Sequence, residues 1–329
     1  MTGSARMTAV KSALLGTLIA AGTAFGAMAQ DFPSKPIVMV VPFPPGGSTD
    51  VVSRVLAQKM GEKLKQTIVV ENKPGAAGTI GIGEVARSAA DGYTVGVSGV
   101  GPSIILHALG QQLSYDPTKD LEVVGLAGST GFVLAARPDF PADDLGGVLA
   151  WAKENPGKLA YGTSGVGSPG HLAMEWLRMI ADVEVNHIPY KGNGPLLTDV
   201  IGKHIDMGVL TIPGTAKQVN EGQIKALAVT GAARSQELET VPTVAELGHE
   251  GYAAEIWNAL VVPTGTPEPV VETLAKALDE VMADPATQAE IVKLGFTPNS
   301  PGRAASAEFI EAERAKWTEV IKNSGAKLE

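Results

Sequence analysis

The sequence predicts an α/β chain with mostly parallel sheets, folded into two lobes. Three observations carry that expectation. Short β-branched runs alternate with helical stretches along the chain. Two strand-to-helix turns rich in glycine and hydroxyl residues recur in what read as separate lobes. The 329 residues, 44% of them hydrophobic, suffice to bury a large core.

The first residues stand apart from this alternation. Arg6 and Lys11 precede an apolar, small-residue run from Ala13 to Ala21, and Ala27-Met28-Ala29 supplies a small-x-small cleavage pattern before Gln30. That is the layout of a secretory signal peptide over residues 1–29, cleaved near Ala29. A membrane anchor would want about 20 apolar residues. This run is short and broken by Gly16, Thr17, Gly22 and Thr23. An exported, freely soluble protein is expected. Loss of Arg6 and Lys11 takes the formal net charge from −9 to −11, which disfavours nucleic acid and anionic membrane surfaces as partners. The chain has no cysteine, which excludes disulfides, thiolate nucleophiles, Cys-bound metal and a lipid-modified cysteine.

The elements then follow in order. Ile37–Val41 is a continuous apolar run and reads as a buried strand. Val51, Val52, Val55 and Leu56 fall at i, i+1, i+4 and i+5, the face of a helix over 49–64. Strands at 67–71 and 93–98 are each followed by a helix, at 78–89 and 103–109. Two strands, 121–126 and 132–136, stand next to one another. Helix 143–154, strand 158–161, helix 170–181, strand 184–188, helix 194–202, strand 206–210, helix 213–220 and strand 224–229 restore the alternation. The polar, turn-rich segment 231–249 reads as a connection between lobes and leads to a strand at 256–262. Helices at 268–283, 285–294 and 303–323 close the chain. In the last of these, Phe309, Ile310, Trp317, Val320 and Ile321 share one face and are expected in the core.

The first of the two turns is Pro42-Phe43-Pro44-Pro45-Gly46-Gly47-Ser48-Thr49-Asp50. It leads from a strand into a helix and ends in hydroxyl residues at the N-cap. Such a turn points backbone N–H groups and the positive end of a helix dipole at whatever lies above it. With no Lys or Arg in the turn, an anion there would be held by amides and hydroxyls. Asp50 is expected to accept N–H groups of the loop or first helical turn. The second turn, Gly162-Thr163-Ser164-Gly165-Val166-Gly167-Ser168-Pro169-Gly170-His171, has the same construction. Taken singly, each is also read as a tight turn with a Ser or Thr cap. Together they suggest a cleft that grips an anion from both sides.

Other chemistries find less support. Residues 165–170 match the Gly-x-Gly-x-x-Gly dinucleotide pattern, but Glu184 begins a strand where the pattern needs an acid at a strand's end, and Pro169 stiffens the helix start. No Walker A pattern, Gly-x-Ser-x-Gly elbow or His-Glu-x-x-His is present. An exported serine hydrolase using a loop serine therefore stands as a weaker alternative. His171 reads either as a group that bonds a ligand or as one that orients the loop. Trp257 either walls a pocket or fills the core.

At this point the chain resembles a known family. Val41–Asp50, Val70-Glu71-Asn72-Lys73-Pro74-Gly75, Asp91-Gly92-Tyr93-Thr94, Tyr161–Ser168, His171-Leu172-Ala173, Pro189-Tyr190-Lys191-Gly192 and Val241-Pro242-Thr243 occur in the order seen in tripartite tricarboxylate transporter substrate-binding receptors, the Bug-type periplasmic receptors. The resemblance implies a two-lobed Venus-flytrap fold of the periplasmic-binding-protein kind, type II-like, with an interlobe cleft. It implies lobe I over residues 31–130 plus 253–329 and lobe II over 131–252.

Mapped by that resemblance, Phe43, Pro44, Gly46, Gly47, Ser48 and Thr49 would hold one side of a small organic carboxylate. Thr163, Ser164, Gly165 and Ser168 would hold the other, with His171, read from its place at the helix start, as a further candidate. Ser103, Tyr190 and Trp257 would belong to a distal pocket. The chain departs from the family pattern there, with Gly101 in place of an Asn and no Gly before Leu260. The ligand's identity is therefore not carried over. The same resemblance implies membrane transporter subunits as partners, with a membrane signalling partner as the alternative reading, and a periplasmic monomer without cofactor or metal is expected.

Overall fold

The computed structural model describes residues 32–324, so the expected signal peptide lies outside the described residues. The N-terminal half builds a parallel core. Strands β1 (Ile37–Val41), β2 (Ile68–Asn72) and β3 (Thr94–Gly99) lie side by side, with β1 in the middle. The register aligns Ile37 with Ile68 and Val38 with Thr94. Helices α1 (Ser48–Leu64) and α2 (Thr79–Ala86) make the crossovers. Both faces of β1 are covered, which explains its unbroken run of apolar residues. After β3 the chain makes a π turn, Gly101–Ile105, that runs into the single turn α3 (Leu106–Ala108).

The next element departs from expectation. The strands expected at 121–126 and 132–136 are one strand, β4 (Leu121–Ala136), of 16 residues. Its middle, Ala127-Gly128-Ser129-Thr130-Gly131, reads as a turn by composition but is extended. It stays extended because it has partners on both sides. Ser129 and Thr130 pair with Trp257 and Ile256, and Ser129 also bridges to Thr297. Shifts in register at Val123/Gly125 and Leu126/Ser129 absorb the irregularity as bulges.

Beyond that midpoint β4 joins a second set of strands. Helix α4 (Leu145–Glu154) leads to β5 (Leu159–Thr163), α5 (Pro169–Ala181), β6 (Val185–Pro189), α6 (Asn193–Ile201), β7 (Met207–Thr211), α7 (Ala216–Asn220) and β8 (Lys225–Val229). Here β5 runs parallel to β6 and β7. The segment 230–254 then carries the chain back to β9 (Glu255–Pro263), which lies between β3 and β4. Helices α8 (Glu268–Met282), α9 (Pro285–Lys293) and α10 (Arg303–Ser324) end the described chain.

The sheets are mixed rather than mostly parallel. The antiparallel pairs among the described strands involve β4 or β9. The reason is directional. β4 runs alongside β1–β3 in sense, since both β3 and β4 oppose β9. It then opposes β7, with Phe132 against Thr211 and Ala136 against Met207. β4 therefore leaves the first strand set at its C-terminal edge and enters the second at the C-terminal edge of β7. The two C-terminal edges face each other across the middle of β4. This is a two-lobed α/β fold with a cleft between the lobes.

Packing follows the period of the strand. In β4, Phe132, Leu134 and Ala136 enter one core, while Val133 and Ala135 enter another on the opposite face. The first of these cores takes in Leu172 and Leu177 of α5 and the α10 face Ile310, Trp317, Val320 and Ile321, all buried. Phe309 packs against its edge, with its ring 6.3 Å from Trp257.

Candidate ligand-binding site

Strand order places the two turns. The loops after β1 and β5 both leave at C-terminal edges, where open α/β sheets bind ligands. In the first turn Pro44, Pro45, Gly46 and Ser48 are exposed, Phe43 is half-buried, and Thr49 and Asp50 are buried. Gly47 is the N-cap of α1 and makes no side-chain cap. The amides of Ser48, Thr49 and Asp50 thus begin a helix with no carbonyl four residues back to receive them.

Asp50 does not face outward. Its Oδ2 accepts the Gly46 N–H at 2.8 Å and Arg54 Nε at 3.0 Å, and its Oδ1 accepts Asn72 Nδ2 at 2.8 Å. Asn72 Nδ2 also donates to the Phe43 carbonyl at 3.0 Å, and Asn72 Oδ1 accepts from Arg54 Nη2 at 3.0 Å. Burial alone would raise the Asp50 pKa. The hydrogen bonds from Arg54, Gly46 and Asn72, with the Arg54 charge, outweigh it and hold the carboxyl below its ordinary value. The turn is stapled from behind, and its one acid is neutralised there by Arg54. Asn72, at the end of β2, belongs to this site although its motif reads only as a turn.

The second turn is built differently. Ser168 is the N-cap of α5, its Oγ accepting the His171 N–H at 3.2 Å. Pro169 follows at the first helical position, where its missing N–H costs nothing. Ser164 is exposed. Thr163 is buried and its hydroxyl is committed within the turn, donating to the Gly165 carbonyl at 3.0 Å and lying 2.7 Å from His187 Nε2. His171 is buried, and its Nδ1 accepts the Gly167 N–H at 3.1 Å. Beneath it, Glu175 accepts from Tyr161 Oη at 2.9 Å and from Arg178 Nε at 2.6 Å. His187 carries no motif of its own. It joins the site because β6 sets it opposite Tyr161, on the face that Thr163 shares two residues on.

The three residues assigned to a distal pocket fall in different surroundings. Tyr190 follows β6 directly. Its amide donates to the Thr163 carbonyl at 2.9 Å, and its hydroxyl donates to Asp199 Oδ2 at 2.8 Å. Burial, with Asp199 beside it, pushes the Tyr190 phenol up to about 12. Ser103 is buried with its Oγ 2.7 Å from Ser98 Oγ. Trp257 lies in the core, its indole N–H directed at Glu313 Oε2 at 3.3 Å. Neither of these last two is part of the turns. Among the described residues no group of His, Asp or Glu side chains is arranged to hold a metal ion, and no helix is long and apolar enough to cross a membrane.

Residues 52–326 match the family model described as tripartite tricarboxylate transporter family receptor. The protein BugT of Bordetella pertussis is 36% identical over 318 residues, which span 96% of this chain and 98% of that protein. R. palustris Rpa4515, solved with adipate, superposes with a TM-score of 0.79 at 30% identity, covering 91% of this chain and 100% of that one. MatC from Rhodopseudomonas palustris, solved with bound malate, gives a TM-score of 0.74 at 30% identity over 88% of this chain and 100% of that one.

Proposed function

Because this chain belongs to the family of tripartite tricarboxylate transporter receptors, we propose that it captures a small organic carboxylate between its two strand-to-helix turns and delivers it to a membrane transporter. The family is one of receptors and not of enzymes, so the serine-hydrolase alternative is set aside. One observation carries the reading. Two turns without a lysine or arginine, each at a helix N-terminus, sit on sheet edges that face each other across β4. Phe43, Pro44, Gly46, Gly47, Ser48 and Thr49 form one jaw, and Ser164, Gly165 and Ser168 the other. Residues 31–130 plus 253–329 and residues 131–252 are read as the two lobes. The change of β4 partners near Gly131 supports that division.

The energetics suit reversible capture. Hydrogen bonds to a charged group contribute about 1.5–3 kcal/mol each. A few of them, with an apolar wall, reach the roughly 8 kcal/mol that micromolar affinity needs. No arginine clamp is required, which favours release. Adipate and malate, bound by the two relatives, lead the list of test ligands. Thermal melts of the secreted protein with adipate, malate, succinate and citrate test the reading. A ligand at about 100 times its Kd should add about 2.7 kcal/mol of stability. Replacing Ser48 and Ser164 together with Ala should abolish the shift. No shift with any carboxylate would sink the proposal.

A further inference from the structure

The second turn contains two glycines in the left-handed region, Gly165 at φ +142° and Gly167 at φ +69°. Each is held by a different imidazole. Gly167 donates its N–H to His171 Nδ1, so Nδ1 carries no proton and the ring proton sits on Nε2, 4.0 Å from Glu175 Oε1. Gly165 is held through Thr163, whose Oγ1 donates to the Gly165 carbonyl and receives the Gly165 N–H at 3.3 Å. With its own proton so committed, Thr163 Oγ1 accepts from His187 Nε2. The two rings stack on each other, 4.0 Å apart and 16° from parallel, and Tyr161 tilts against His187 at 4.9 Å.

We propose that His171 and His187 are positioning residues of the second jaw. They set the conformation of its two glycines, and proton uptake by His171 undoes the hold and weakens anion capture. The inference rests on the reading that this turn receives a carboxylate. The chemistry is simple. A protonated Nδ1 is a donor and faces another donor, the Gly167 N–H, so that bond is lost. A second charge on His187 would lie one ring spacing away. The titratable and charged groups around the stack are Tyr161 on β5 and Glu175 and Arg178 on α5. Glu175 would take up the new charge on Nε2, leaving the broken Gly167 bond as the effect on the turn. Burial lowers the pKa of both histidines. For His187, with the neighbouring His171 adding to it, the value falls to about 4. The pair is therefore neutral at pH 7, and acid is the trigger.

The test compares wild type with His171→Asn, His171→Leu and His187→Gln. In His171→Asn an amide oxygen takes the place of Nδ1 and cannot be protonated. In His187→Gln an amide N–H takes the place of Nε2. Affinity for adipate and malate is measured at pH 7.5 and 4.5, and exchange of the Gly167 amide is followed by NMR in ligand-free protein. Titration of the ligand is common to all variants and cancels between them. His171→Asn and His187→Gln, whose amides put an acceptor and a donor back in place, should keep more of the wild-type affinity at pH 7.5 than His171→Leu does. At pH 4.5 His171→Asn should hold more affinity than wild type, by up to about tenfold, the worth of one lost hydrogen bond. His171→Leu should lose about tenfold already at pH 7.5. Gly167 exchange should quicken in acid in wild type and not in His171→Asn. Identical pH profiles for wild type and His171→Asn, or Gly167 exchange unmoved by acid, overturn the proposal. If neither carboxylate binds any variant, the carboxylate reading falls, while the Gly167 exchange still decides what the imidazoles do.

Discussion

At the scale of single residues, the site is organised by side chains that face away from it. Asp50 is 1% exposed and holds the first turn to Arg54 and Asn72. Asp50→Asn would remove the charge opposite Arg54 and set an amide N–H against either the Gly46 N–H or the Asn72 Nδ2 donor. It should cost about 1.5–3 kcal/mol, read from chemical denaturation at pH 7. Because the folded pKa of Asp50 lies below its ordinary value, its contribution is present at neutral pH and disappears as pH falls through that lowered pKa. His187 acts in the same sense, over a window at higher pH. Between its ordinary pKa near 6.5 and about 4 the unfolded chain binds a proton that the native ring does not. Stability should therefore fall as pH drops across that window, by at most ~1.4 kcal/mol per pH unit from this ring. His187→Gln should flatten that part of the melting profile, and an unchanged profile would count against the assignment. The bond that Asp50 accepts from the Gly46 N–H was expected from its place in the first helical turn, whereas those from Arg54 and Asn72 were not. His187 was not, because no spacing along the chain links it to Thr163. The pairing of β5 with β6 does.

Among the elements, the C-terminal helix α10 shows how a sequence pattern becomes a tie between distant parts. Trp317 is fully buried and its indole N–H donates to Glu313 Oε2 at 2.9 Å, one turn back. Glu313 also accepts from Trp257 of β9 and pairs with Lys316. Trp317 meets Trp176 of α5 edge-on at 6.1 Å, and Trp176 stacks on Tyr252 at 4.6 Å. A helix late in the chain thereby joins β9 to α5. Trp317→Ala should cost about 3–5 kcal/mol through the cavity it leaves, measurable as a fall in the denaturation midpoint with unchanged slope. Within β4, Gly131 is needed for close approach. A methyl group there would sit 2.9 Å from Gly231 N. The helix face was plain from the spacing of its aromatics. The continuity of β4 was not, since glycine, serine and threonine in a row describe a turn equally well until a partner strand is supplied.

For the whole molecule, the deciding feature is how the two strand sets are joined. Beside the joining strands, Gly295 (φ +77°) follows α9 and lies against Pro213, just after β7. A methyl on Gly295 would meet Pro213 Cγ at 2.6 Å and Glu237 Oε2 at 2.8 Å. That carboxylate oxygen is buried without a partner, and burial raises the Glu237 pKa. Gly295→Ala should wedge the proposed lobes apart and lower carboxylate affinity several-fold. Gly302→Ala, at φ +90° with open space around it, carries the same backbone cost of about 1–2 kcal/mol and should leave affinity unchanged. Small-angle scattering with titration calorimetry distinguishes the two, and equal behaviour would remove any role for this contact in closure. By itself the sequence determined the elements, most of their bounds, and the two turns with their amide-and-hydroxyl chemistry. Each of these depends on residues close in the chain, where helical and strand periods and capping preferences act. Only the tertiary structure decided that β4 is one strand, that the sheets are mixed, that the two C-terminal edges face each other, and that Asn72, Glu175 and His187 stand behind the two turns. Those facts depend on strand register and direction between segments as distant in sequence as Gly96 and Val261, which no local preference specifies.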